Sequence, residues 1–364
     1  MKFRCERDVL TEALGVVGRA VSTRGGALPV LTGIRAELEG DSLRLLGTDL
    51  ELSIAMELTV AGSEDGVAVL PARLVADIVR SLEPGAVHLT VQDDTAAISA
   101  GRSEFNLRLI PADEFPRSAE SASASATLPA KEFGQALRQV VPAASTDDSR
   151  PILTGVLLTA EGDGLRLVAT DSYRLSMRDL HGSALLAQGQ KVLLPGRALS
   201  ELARLLDRAD EVVVRLGTRD ATFEVGTAQL TTRLIEGEFP NYKGLIPSAH
   251  PNRLTIQRET VLDAVRRVRL LARESTPVRL VMQPESVEIV AVTQDVGQAK
   301  ESVDATFEGT ELTVAFNPEY LLAGLDVTPG DEVVLETLDV RSPAVLKSNA
   351  QSDFLYLIMP VRVS

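Results

Sequence analysis

The sequence predicts an α+β fold built three times over, each copy holding two short helices and a meander of antiparallel strands. Three recurring markers predict the triplication. Leu28–Pro29–Val30–Leu31–Thr32–Gly33 returns as Arg150–Pro151–Ile152–Leu153–Thr154–Gly155. Each copy is followed by a Gly-Asp turn (Gly40–Asp41, Gly162–Asp163) and a Thr-Asp pair (Thr48–Asp49, Thr170–Asp171), with a worn third copy near Val292–Thr293–Gln294. Leu109–Ile110–Pro111 with Phe115–Pro116 returns as Leu234–Ile235 with Phe239–Pro240, and as Leu357–Ile358–Met359–Pro360. Leu70–Pro71–Ala72–Arg73 returns as Leu194–Pro195–Gly196–Arg197 and, loosely, as Phe316–Asn317–Pro318. The common step of roughly 120 residues is a domain length, well above the roughly 20–50 residues of a solenoid unit.

In chain order, six stretches carry apolar residues at helical spacing. They are Val9–Val17, Leu74–Leu82, Phe133–Val141, Leu199–Leu206, Val261–Leu271 and the segment around Tyr320–Leu321–Leu322, two for each copy. The remainder reads as about six to eight short strands per copy, such as Leu43–Leu46, Leu165–Val168 and Val287–Val290, each behind a turn signal. The small, polar stretch 118–126 and the segment Pro247–Asn252 read as linkers. The expected domains are therefore 1–119, 127–247 and 252–364.

Composition narrows the class. The 364 residues are 45% hydrophobic and 24% charged, an ordinary globular balance. No apolar run approaches the ~18 residues that span a membrane, and the charged N-terminus lacks the apolar core of a signal peptide. Cys5 is the single cysteine, expected as a small core residue in a reducing, cytoplasmic compartment.

Catalytic readings fail one by one. Gly40–Asp41–Ser42–Leu43 spells the GDSL signature of a serine-hydrolase family, but the second copy has Gly164 in place of the serine. The three histidines, His88, His181 and His250, offer no recognisable base for a nucleophile. One cysteine and scattered histidines make no zinc set, and no phosphate-binding glycine loop follows a strand. Asp49 and Asp171, at strand ends, read as bonding local backbone in preference to a metal. No catalytic residue, metal or cofactor is expected, which leaves a binding module or scaffold.

The net charge of −14 alone argues against nucleic acid, because phosphate contacts need Lys and Arg. The distribution is more informative. Basic residues recur on the helical stretches (Arg73 and Arg80; Lys131 and Arg138; Arg197, Arg204 and Arg208; Arg266, Arg267, Arg269 and Arg273), while many acidic ones fall in strands and turns. A solvated face and a functional face both fit that pattern.

Beyond the repeat, particular stretches resemble a family. They are Gly47–Thr48–Asp49–Leu50–Glu51, Ala169–Thr170–Asp171–Ser172–Tyr173–Arg174–Leu175, Glu238–Phe239–Pro240–Asn241–Tyr242, Phe316–Asn317–Pro318–Glu319–Tyr320 and Met359–Pro360–Val361–Arg362. Across its whole length the chain resembles the bacterial beta sliding clamps, the processivity subunits of DNA polymerase III. The resemblance implies three clamp domains in a crescent, with two inner helices and outer antiparallel sheets per domain. It implies a homodimer that closes a pseudo-sixfold ring around double-stranded DNA without sequence preference. Topology would hold the ring on DNA, and loose phosphate contacts suit sliding. The DNA-facing residues would be Arg24, Arg73, Arg150, Arg197 and Arg204, and the dimer seam Leu74, Ile78, Leu82, Phe105, Leu270 and Leu271.

The resemblance also implies one peptide pocket for short linear motifs of the clamp loader, polymerases, ligase and mismatch-repair proteins. Carried over by position, it comprises Leu153, Thr170, Tyr173, Arg174, Leu175, Pro240, Leu245, Asn317, Tyr320, Val340, Ser342, Met359, Pro360, Val361 and Arg362. Gly244 departs from the family, where many members carry Arg, and removes a donor from the rim. The acidic cluster at the seam is reduced to Asp295, Glu301 and Asp304. A non-ring peptide-binding scaffold of the same fold and a GDSL-type hydrolase are the competing functions.

Overall fold

The computed structural model describes residues 1–22, 28–116, 125–183, 185–247, 250–272 and 276–362. Arg24, Arg273, most of the first linker and Ser248 and Ala249 of the second lie outside the described residues. The six helical stretches form α1 (Arg7–Val17), α2 (Ala72–Ser81), α3 (Ala130–Val140), α4 (Gly196–Leu206), α5 (Arg258–Val268) and α6 (Pro318–Val327). Among the described residues no helix is long and apolar enough to cross a membrane.

Every named strand pairing is antiparallel. Among its described residues the first copy holds nine strands, against an expected six to eight, and Ala61–Glu64 adds a short edge beside Lys2–Glu6. The chain divides into two compact units, Met1–Lys131 with Arg204–Leu234, and Glu132–Ala203 with Ile235–Ser364. This division cuts the second copy in two, so compactness does not follow the repeat. The reason is pairing between copies. In the first unit Ala228–Arg233 pairs with Leu52–Thr59, inside an eight-stranded sheet. In the second unit Phe354–Ile358 pairs with Arg174–Leu180, inside a twelve-stranded sheet. A five-stranded sheet completes the first unit.

Each unit buries an equivalent cluster. In the first, Val30, Leu31, Leu46, Ala55, Val69 and Phe115 pack together. In the second, Leu157, Val168, Leu175 and Leu193 are joined by Tyr242, Val345, Leu355 and Leu357. Cys5 is buried as expected, and burial raises its thiol pKa above the ordinary value. The GDSL stretch is a hairpin turn with Gly40 at φ 56°, and the Ser42 hydroxyl donates to the Glu57 carboxylate at 2.6 Å.

Candidate peptide-binding site

The second unit positions the site by a turn. Strand Gly164–Thr170 passes into strand Arg174–Leu180 through Asp171, Ser172 and Tyr173. The Thr170 hydroxyl donates to the Arg174 carbonyl at 2.6 Å, and the Asp171 carboxylate accepts the amides of Tyr173 at 2.9 Å and Arg174 at 3.0 Å. Asp171 therefore bonds local backbone, as its strand-end position predicts. Its second oxygen pairs with Arg174 Nε at 3.0 Å. Bonded on both sides, the turn holds Tyr173 out, 57% exposed.

Helix α6 brings the second aromatic ring. Asn317 caps the helix, its side-chain oxygen accepting the amides of Glu319 and Tyr320, and Pro318 occupies the first helical position. Gly324 lets the helix lie directly on the Tyr356 ring: a Cβ there would stand 2.6 Å from two ring carbons. The Tyr356 hydroxyl then donates to the Tyr320 carbonyl at 3.0 Å. Tyr320 thus stacks on Tyr173 with ring centroids 6.2 Å apart and planes 23° apart. The Arg174 guanidinium lies 4.6 Å from the Tyr320 ring centroid, within cation–π range.

Burial shapes the electrostatics. It pushes the Tyr356 phenol up to about 12 against the opposing pull of Arg174. It also raises Tyr320, with the Asp171 carboxylate adding to the shift. Both tyrosines stay neutral at physiological pH, and Asp171 and Arg174 beside them pair with each other.

The C-terminal segment closes one side. The Met359 amide donates to the Tyr173 carbonyl at 2.8 Å, extending the pairing of Phe354–Ile358 with Arg174–Leu180. The Val361 amide donates to the Ala315 carbonyl at 2.7 Å. Met359, Ile246 and Phe239 pack against the cluster that holds Leu175 and Leu357. The result is an apolar surface with an exposed aromatic ring and a fixed guanidinium, suited to apolar side chains of an extended peptide.

The predicted residues divide by role. Tyr173, Pro240, Leu245, Val340, Val361 and Arg362 are exposed, and Leu153, Arg174, Tyr320, Ser342, Met359 and Pro360 are half-buried. Thr170 and Leu175 are buried, so they build the turn and its floor and present no surface to a ligand. Asn317 spends its side-chain oxygen on the helix cap, which leaves only its side-chain NH2 group to donate to a ligand. Ser342 belongs to a turn in which Asp339 accepts the amides of Arg341 and Ser342, both at 2.7 Å, and these bonds hold the Asp339 carboxyl below its ordinary range. Gly244 lies in the short helical turn Lys243–Leu245, with open space around it. Sequence reasoning missed Gly324 and Tyr356. A glycine inside an apolar helix is the signal that would have found the first.

The expected DNA-facing and seam residues differ in exposure and pairing. Arg73 is fully exposed, with Asp77 at 3.9 Å, and Arg197 and Arg204 are exposed on α4. Arg150 is no helical residue: it pairs with Asp147 at 2.9 Å and reaches the Asp171 carbonyl and the Ser172 hydroxyl at 3.4 Å, bracing the site's turn. On α5 and just past it the basic face is largely neutralised, because Arg266 pairs with Asp263 and Asp326, Arg267 with Glu301, and Arg269, which follows the helix, with Glu319. Of the seam residues, Ile78 and Leu82 are buried inside the first unit, whereas Leu74, Phe105 and Leu270 are exposed and Leu271 is half-buried.

Known proteins are similar to the chain along its whole length. Family models for the DNA polymerase III beta subunit match the chain in succession: the N-terminal domain over residues 1–119, the central domain over 127–241 and the C-terminal domain over 243–362. The beta sliding clamp of Streptomyces coelicolor is 35% identical, with all of both chains covered. Among solved structures, the DNA polymerase sliding clamp from Bacillus subtilis is similar over 100% of both chains, with a TM-score of 0.91 at 31% identity. A DnaN sliding clamp from Bartonella birtlesii bound to griselimycin is similar over 100% of both chains, with a TM-score of 0.93 at 30% identity.

Proposed function

The chain belongs to the DNA polymerase III beta subunit family, the beta sliding clamps, and from that premise we propose how its surfaces divide the work. Its function is that of a DNA sliding clamp, a processivity factor of DNA replication that is not itself catalytic. We take the three clamp domains as 1–119, 127–247 and 252–364. Two copies close a ring around duplex DNA, held without sequence preference, in the cytoplasm on the nucleoid.

The seam joins two sheet edges. Strand Ser103–Arg108 ends the five-stranded sheet, and among the described residues the Gly297–Asp304 part of the long strand Gly297–Glu308 pairs only with Ser286–Thr293. Edges of this kind are templates for pairing with another chain, and the exposed Leu74, Phe105 and Leu270 supply apolar area beside them. Glu301 is held by Arg267 of its own chain, so the seam relies on backbone and apolar contacts more than on charge.

Short linear motifs of the clamp loader, polymerases, ligase and mismatch-repair proteins dock on the Tyr173–Tyr320 surface. The observation that carries this reading is the exposed aromatic stack, capped by Arg174 and bordered by Met359 and Val361. Griselimycin, bound by the Bartonella relative, is the probe for it. Calorimetry should show griselimycin binding to the native chain, and Tyr320→Ala should weaken it by about 100-fold, as loss of an aromatic anchor does. Sedimentation should show an unchanged dimer in that variant. The ring itself is tested by loading with a clamp loader onto nicked circular DNA. The protein should stay on circles and run off once they are linearised. Equal retention on linear DNA would leave only a non-ring peptide-binding scaffold.

A further inference from the structure

The first unit holds a cleft of about 270 Å³ shared with none of the residues of the Tyr173–Tyr320 surface. It is built on the same backbone frame. Ser53 pairs with Thr231 as Leu175 pairs with Leu357, and the Arg233 amide donates to the Glu51 carbonyl at 3.0 Å as the Met359 amide donates to that of Tyr173. The side chains on the frame are different. Glu51 stands in the place of Tyr173, Thr231 in that of Leu357 and Arg233 in that of Met359.

Asp220 lines this cleft, and its Oδ1 is buried without a hydrogen-bond partner among the described residues. Its cross-strand neighbour Arg233 does not supply the donor, since that guanidinium is 3.6 Å from the Glu51 carboxylate. A buried carboxylate oxygen with no donor is costly, and a ligand that brings a charged N–H recovers the bond. Leu50, 40% exposed, and Pro116 border the same space and offer apolar surface to a methylene stem. Two carboxylates, Glu51 and Asp220, face one guanidinium, so the cleft favours a cation.

We propose that this cleft takes the arginine side chain of an extended segment of a partner protein, guanidinium on Asp220 and stem against Leu50 and Pro116. The volume admits one such side chain and its neighbours, below the roughly 300–1,000 Å³ of a small-molecule site. A partner could then grip the clamp at two different surfaces, one apolar and one acidic.

The test uses the full-length protein with labelled threonine methyls. It is titrated with acetyl-Gly-Leu-Arg-Leu-Gly-amide and with the same peptide carrying citrulline, which keeps the shape of arginine and lacks its charge. The Thr48 and Thr231 signals should move and saturate with the arginine peptide, and the citrulline peptide should bind about tenfold more weakly or worse. Asp220→Asn should weaken the arginine peptide to a similar extent, whereas Tyr320→Ala should leave it bound. Equal binding of the two peptides, shifts confined to Thr170, or no shift at all would overturn the proposal. The citrulline comparison uses the unaltered chain, so a poorly folding variant does not remove the test. A negative result would leave the clamp reading standing, since that rests on other residues.

Discussion

Thr48 and Thr170 open two turns with the same hydrogen bonds and unlike surroundings. Each hydroxyl donates to the carbonyl four residues on, Leu52 at 3.1 Å and Arg174 at 2.6 Å. Each accepts the amide two residues on, Leu50 at 3.1 Å and Ser172 at 3.2 Å. Leu50 and Ser172 both sit in the left-handed region, with φ of 79° and 84°. The next three residues part company: Glu51, Leu52 and Ser53 in one, Tyr173, Arg174 and Leu175 in the other. The paired strands diverge on the same face, with Gln229, Thr231 and Arg233 set against Leu355, Leu357 and Met359. Because side chains alternate across a strand, changes at every second position recast one face and leave the frame alone. Duplication copied the frame, and the chemistry of each surface comes from a handful of side chains laid on it.

Substitutions can break that comparison. Leu357→Thr gives the second frame the residue of the first, and at a 2% exposed site in a packed cluster it should cost about 3 kcal/mol. The mirror change, Thr231→Leu, falls on a half-buried strand position and should stay within about 1 kcal/mol. Denaturant titration of both reads the difference, and equal costs would mean that the two frames are not distinguished by packing. Gly324→Ala pushes a methyl group onto the Tyr356 ring and should cost about 2 kcal/mol, with a parallel loss of griselimycin affinity as Tyr320 is displaced. Unchanged melting and affinity would show that α6 can slide. Thr48→Ala and Thr170→Ala each remove the two shared turn bonds, at about 1 kcal/mol, and Thr48→Ala also removes the 2.7 Å bond to the Ser53 hydroxyl, so a much larger loss in Thr170→Ala would end the claim of a shared turn.

The finest distinction is alkaline. Tyr356 lies opposite Ser176, and the corresponding partner of Ile54 is Leu230, which does not ionise. The folded Tyr356 value, about 12, exceeds its ordinary 10.0. The stability from keeping this phenol neutral is therefore complete below pH 10.0 and is lost as pH rises towards about 12. Melting temperatures across that range should fall in the native chain, and less so in Tyr356→Phe.

Much of this was legible in the chain itself. Helical spacing located all six helices, and the Thr-Asp pairs located both turns and their local bonding. Spacing could not separate rim from core, because Leu74, Ile78 and Leu82 share one apolar stripe while only Leu74 stays exposed. Nor could it foresee partners distant in sequence: Asp326, Glu301 and Glu319 neutralise arginines of α5 and its C-terminal cap from α6 and a strand. Asn317–Pro318 spells a helix start by itself, and the cap it forms occupies the Asn317 side-chain oxygen, a structural duty that transfer by position from the family does not reveal. Pairing between copies, which decides where the compact units divide, has no local signature at all.

The two amides that fasten the C-terminal segment, Met359 to Tyr173 and Val361 to Ala315, bear on how this protein is handled at the bench. An affinity handle joined beyond Arg362 hangs from the border of the surface that partners would use, and would compete in any pull-down. The other end is no better: Met1 is buried and its carbonyl accepts the Val91 amide. The exposed turn at His181–Gly182 is the better place for an epitope, because it lies about 20 Å along the strand from Arg174 at the usual rise per residue.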